Sequence, residues 1–155
     1  MRTLLLVTHA NGASTRAVAD ALRAGAQRGA DAVGGVDVRQ VEALAVDADQ
    51  LADAAAVVFA TAEHFGTMSG GLKHAFDTTY GALRTGGVHR PYVLVVKAGD
   101  DGTGTVRDVT RICTGLGWRE ARPPLLLVGE LTDLMLADVE ELGATVAAGV
   151  SAGAL

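Results

Sequence analysis

Hydrophobic positions along the chain alternate between two rhythms. Short apolar runs at Leu4–Val7, Ala55–Ala60, Tyr92–Val96 and Leu125–Val128 are rich in Val, Leu or Ala and separated by helix-length segments, as strands buried on both faces of a parallel sheet are. The stretch Val36 to Val41 mostly alternates apolar with polar residues, which predicts a strand with one exposed face, nearer an edge. Between these runs apolar residues recur at helical spacing: Val18, Ala21, Leu22, Gly25 and Ala26, then Leu72, Ala75, Phe76, Thr79 and Leu83. Val106, Val109, Cys113 and Leu116 repeat the pattern, and Val139, Leu142, Gly143, Val146, Ala147 and Val150 form the clearest stripe. A short helix around Asp47–Ala54 fills the remaining interval, although its Ala-rich sequence has little amphipathic contrast. Strand and helix thus alternate five times. The pattern predicts an α/β fold, a doubly wound five-stranded parallel sheet in the order 2-1-3-4-5 with helices on both faces. In such a sheet the ligand crevice lies beyond the carboxyl ends of the strands, here between the first and third.

Composition narrows the picture. A chain of 155 residues that is 49% hydrophobic suits a single domain over residues 1–155, and no repeat or linker divides it. The lone Cys113 allows no intrachain disulfide and no thiolate metal cluster, so no metal site is expected and a reducing, cytoplasmic setting fits. The run Leu4–Val7 is too brief for a signal or a membrane span. A formal charge of −5 argues against sequence-independent binding of nucleic acid, which depends on Lys and Arg at phosphates.

Function is therefore expected in three strand-end loops. The first, Thr8-His9-Ala10-Asn11-Gly12-Ala13-Ser14-Thr15-Arg16, runs straight into a helix. A helix N-terminus offers unpaired N–H groups and a positive dipole end, and small hydroxyl residues let a phosphate approach. Equally, Ser14 or Thr15 can be a plain cap and Asn11-Gly12 a plain turn. No Lys stands at Walker spacing and no GxGxxG follows the strand, so a mononucleotide site is the phosphate reading that remains.

The second loop, Thr61 to Gly71, mixes small residues and glycines with Glu63, His64, Phe65 and Met68, ahead of a helix starting near Leu72. Such a sequence can set backbone groups against a flat heterocycle, with Phe65 or Met68 over a ring face; both residues can also simply close the core. Lys73 and Asp77 read as an ordinary i,i+4 ion pair. The third loop, Lys97-Ala98-Gly99-Asp100-Asp101-Gly102-Thr103-Gly104, completes the crevice.

The segment Phe65-Gly66-Thr67-Met68-Ser69-Gly70-Gly71-Leu72-Lys73-His74-Ala75-Phe76-Asp77 resembles the isoalloxazine-holding segment of the flavodoxin-like superfamily, and more closely that of its small NAD(P)H-dependent FMN reductase and quinone reductase relatives. Lys97 to Gly104 is similar to the loop those proteins place beside the pyrimidine end of the ring, and Gly12 and Ser14 match the flavodoxin phosphate pattern, with His9 and Asn11 where hydroxyl residues are usual. The resemblance implies FMN with its phosphate on His9, Asn11, Gly12, Ala13, Ser14 and Thr15, and its ring against Ala62, Glu63, His64, Phe65, Gly66, Thr67, Met68, Ala98, Gly99, Asp100 and Gly102. It implies hydride transfer from NAD(P)H to the flavin and on to a quinone or similar small acceptor, and a homo-oligomer. No side chain is assigned as catalytic, because the flavin carries the chemistry and the protein positions it. Two alternatives stay open. One is a one-electron flavodoxin carrier, against which stands the single aromatic, Phe65, in the ring loops; the other is a flavin-free regulatory or interaction domain on the same scaffold. A phospho-receiver is disfavoured because the first strand ends in Thr8-His9 and the third lacks a terminal aspartate; Cys113, inside a helix, is no phosphatase nucleophile.

Overall fold

The computed structural model describes residues 1–155. Its elements run β1 (Arg2–Thr8), α1 (Ala13–Val33), β2 (Val36–Glu42), α2 (Ala48–Asp53), β3 (Ala56–His64), β4 (Thr67–Met68), α3 (Gly70–Thr85), β5 (Pro91–Ala98), α4 (Thr103–Gly115), β6 (Arg119–Glu120), β7 (Leu125–Val128) and α5 (Asp133–Ala152). The main sheet is parallel in the order β2-β1-β3-β5, and its last position is shared by β6 and β7, which pair with successive parts of β5. Pro123 and Pro124 fall between the two pieces; lacking N–H groups, they cannot continue the ladder. The expected order 2-1-3-4-5 is thus the observed topology, with its fifth strand broken in two.

The sheet separates two cores of different texture. Below it, α1 and α5 pack on Leu4, Leu6, Val58, Val93, Val95 and Leu127, and the two helices approach backbone to backbone: a Cβ at Gly25 would lie 1.9 Å from the Glu140 carbonyl oxygen and one at Gly143 2.6 Å from that of Leu22. Above it, α2, α3 and α4 enclose an aromatic group. Phe59 stacks on Trp118 at 6.2 Å and tilts against Phe76 at 5.0 Å and Tyr92 at 6.4 Å, each such pair adding about 0.5–1.5 kcal/mol beyond burial.

Two departures bear on the site. The segment read as a loop from Thr61 continues as strand to His64 and returns antiparallel through Thr67–Met68. The third helix starts at Gly70, ahead of the expected Leu72, because the Ser69 side chain caps it by accepting from the Leu72 N–H. No helix is long and apolar enough to cross a membrane.

Candidate functional site

Thr8, Ala60 and Val95 stand in one row across β1, β3 and β5, so the segments that follow them leave the same edge of the sheet. The first is the turn into α1. Thr15 folds back on it: its hydroxyl accepts from the Gly12 N–H at 3.0 Å and lies 3.0 Å from the Gly12 carbonyl oxygen. The N–H groups of Ala13, Ser14 and Thr15 make no hydrogen bond and point outward from the helix end. Asn11, Gly12, Ala13 and Ser14 are exposed around them, and a Cβ at Gly12 would meet nothing nearer than the Thr15 hydroxyl at 4.0 Å. The result is an open, donor-lined cup without a charged side chain of its own before Arg16.

His9 lies at the base of this turn. Its side chain is 16% exposed, with Nδ1 3.6 Å from Glu42 Oε2 and no hydrogen-bond partner. Glu42 is held to the turn by the Ala10 N–H at 3.1 Å. The imidazole occupies the place a side chain at Gly71 would need, 2.4 Å from the Cβ position, so the β1–α1 turn and the start of α3 are in direct contact. Beneath them Thr8, His9, Thr15, Thr61 and Lys97 border a void of about 10 Å³, close to the room one water needs.

The second element is the β3–β4 hairpin. Ala62 is buried, Glu63 and His64 are half-buried, and the two-residue tip is Phe65-Gly66. Both tip residues have positive φ, 54° and 77°, as tight hairpins of the primed type require. Glycine adopts this freely, but for a bulky residue such as Phe65 the left-handed region costs about 1–2 kcal/mol. Phe65 repays nothing through packing, since it is fully exposed. Of the two residues read as either covering a ring face or closing the core, Met68 is 4% exposed and belongs to the aromatic core; period-two alternation in β4 sends Thr67 outward and Met68 in. The base of the hairpin is closed by Thr61 and Ser69: the Thr61 hydroxyl donates to the Ala62 carbonyl at 2.9 Å, lies 3.1 Å from the Ser69 hydroxyl, and accepts from the Ser69 N–H at 3.1 Å.

The third element is the β5–α4 turn. Ala98 is buried, Gly99, Asp100 and Asp101 are exposed, and Gly102 turns into α4 in the left-handed region at φ 87° with no side-chain cap. Thr103, Gly104 and Thr105 therefore present free N–H groups, and the buried Thr105 hydroxyl has no partner. This turn touches the hairpin. A Cβ at Gly104 would lie 2.0 Å from the Gly66 carbonyl oxygen, and the Thr67 hydroxyl donates to Asp108 Oδ2 at 2.7 Å. Arg107 beside Asp108, and next the Thr67 hydroxyl, hold the Asp108 carboxyl below the ordinary aspartate value. Ser69, Gly104 and Asp108 are the residues that sequence reasoning did not single out. Ser69 had a signal, a serine three residues before the first periodic apolar position; Asp108 had none.

Cys113 is fully buried, and desolvation pushes its thiol up, which leaves it unreactive. Lys73 and Asp77 form the i,i+4 pair that their spacing predicts. A concavity of about 450 Å³ at the edge of β2, between Arg23, Arg39, Asp47 and Asp53, has no lining residue in any of the three turns.

Solved structures share this architecture. A flavodoxin from the domain Archaea is 20% identical at a TM-score of 0.77, covering 97% of this chain and 99% of its own. A WrbA-like flavodoxin from Agrobacterium tumefaciens is 15% identical at 0.77, with both chains fully covered. An NADH:FMN oxidoreductase in its apo form is 12% identical at 0.70, covering 96% of this chain and 89% of its own. At such identities the likeness shows the flavodoxin-like fold, and no curated protein matches the sequence significantly. The sequence goes further than the fold: residues 37–133, more than half the chain and including both the hairpin and the β5–α4 turn, match the NADPH-dependent FMN reductase profile, and the chain belongs to that family of oxidoreductases.

Proposed function

We propose that the chain binds FMN across its three strand-end turns and passes reducing equivalents from NAD(P)H to a quinone, a flavin or a similar small acceptor. The observation that carries this reading is the convergence on one sheet edge of two helix N-termini with free N–H groups, joined by a preformed hairpin whose only exposed large side chain is a phenylalanine.

The residues suit the group. The cup formed by Asn11, Gly12, Ala13, Ser14 and Thr15 would hold the phosphate on backbone N–H groups at the positive end of α1, with the Ser14 and Asn11 side chains able to reach it. The hairpin from Glu63 to Thr67 and the turn from Ala98 to Gly102 would hold the ring between them, and Phe65 would lie along one face. When bound, the flavin supplies the two-electron redox chemistry. The free N–H groups of Thr103 and Gly104 at the start of α4, with those near Gly66, can offset negative charge that builds up on the ring. Asp100 and Asp101, exposed in the same turn, oppose that charge and temper the effect. No acid or base is assigned, and none is needed for a reaction in which the protein orients two planar reactants.

The test is the visible spectrum of the purified chain after FMN is added and free ligand removed, then NADPH or NADH. Retained flavin that bleaches with nicotinamide supports the reductase. Flavin that bleaches only with dithionite would favour the one-electron carrier instead. Failure to retain FMN at saturation would overturn both and leave a flavin-free binding domain.

A further inference from the structure

We propose that Asp108 is a positioning residue: from α4 it grips the Thr67 hydroxyl and so holds the Phe65-Gly66 tip in its ligand-ready conformation before any ligand arrives. The inference rests on the flavin reading above and deepens it.

The hairpin needs such a hold. Its strand β4 is only two residues long, and an isolated two-residue pairing is not stable by itself. Its tip keeps a bulky residue at φ 54° with the side chain wholly in solvent, so nothing at the tip offsets the strain. Met68 anchors the returning strand in the aromatic core, and two contacts from α4 reach the tip side of the hairpin. One is passive: the absence of a side chain at Gly104 lets the Gly66 carbonyl settle against α4. The other is the 2.7 Å bond from Thr67 to Asp108, forty-one positions apart in sequence. It is charge-assisted, which makes it stronger than a neutral hydrogen bond. Asp108 also accepts from Arg107 Nε at 3.0 Å, and its side chain is only 26% exposed. Thr67 immediately follows the tip, and slackening at this point frees both Phe65 and Gly66.

A latch of this kind makes a prediction that general destabilisation does not. Aspartate in mid-helix is a poorer helix former than alanine, which offsets the lost bond, so Asp108→Ala should leave Tm nearly unchanged while loosening the hairpin. Thr67→Val removes the hydroxyl at constant shape, and Thr67→Ser restores it. Hydrogen exchange of the β3–β4 ladder amides that flank the tip should quicken about fivefold in the FMN-free chain in Asp108→Ala and in Thr67→Val, with the double variant no faster than either single one, and FMN affinity should weaken by a similar factor. Thr67→Ser should behave as the unsubstituted chain in both measurements. Unchanged exchange in either single variant, or additive effects in the double one, would overturn the latch. Faster exchange with undiminished FMN affinity would overturn its role in positioning. If the unsubstituted chain retains no FMN, the flavin reading fails by itself, and exchange still decides whether the latch exists.

Discussion

The two ends of the candidate site are built on opposite plans. The β1–α1 cup opens to solvent: its glycine is extended at φ −159°, has free space around it, and bonds only to Thr15 and Arg16 of its own helix. The β3–β4 hairpin is a closed assembly: its tip glycine is left-handed, its carbonyl is pressed against Gly104, and its flanking threonine is bound to a different helix. A phosphate needs donors and a dipole, and a helix N-terminus supplies both without outside help. A planar ring needs two walls at a set separation, and only contacts between distant segments can set it. The cup should therefore tolerate substitution in folding and be sensitive to charge, whereas the hairpin should be sensitive to shape.

The largest expected effect is at Gly104. Valine there must displace the Gly66 carbonyl, since the new Cβ would start 2.0 Å from it. Overpacking of this kind costs about 1–3 kcal/mol, so a lowered Tm should accompany a loss of FMN affinity of at least about tenfold, read by thermal melting and flavin fluorescence titration. Unaltered flavin affinity in a folded Gly104→Val chain would show that the α4 contact does not shape the site.

Next comes the cup. Ser14 is exposed in the first turn of α1, where a carboxylate is favoured by about 0.3–1 kcal/mol through the helix dipole. Ser14→Asp should thus keep or raise Tm while weakening FMN about tenfold by repulsion of its phosphate. Riboflavin, which has no phosphate, should bind as before. Equal losses for FMN and riboflavin would move the phosphate away from this turn.

The smallest effect is the response to acid. Because the folded Asp108 carboxyl is held below its ordinary value, it binds its proton less readily in the folded chain. Its contribution is complete above the unfolded aspartate pKa of about 3.9 and disappears only as pH falls through the lower folded value. Hairpin protection, corrected for intrinsic exchange, should be flat from about pH 5 upward and fall in more acid solution. A decline centred near neutrality would implicate a different group.

The sequence by itself determined the alternation of strands and helices, the position of β2 at the edge, and the assignment of chemistry to the strand-end turns. These are legible because periodicity is local: Leu4–Val7 and Tyr92–Val96 read as buried strands, and Val139 to Val150 as a buried helix face, whatever the rest of the chain does. The N-terminal cup was legible for the same reason, since a helix start is set by its own few residues. Tertiary structure decided the hairpin. Ala62 to His64 carry no strand signal, and they extend β3 because Thr67 and Met68 return beside them while Ser69, Gly104 and Asp108 fix the result. It decided between Phe65 and Met68 as well: both are large and apolar, and the hairpin register alone exposes one and buries the other. Pairing with distant residues has no periodic trace along the chain, and so the wall that a ring would meet could be read only from the folded molecule.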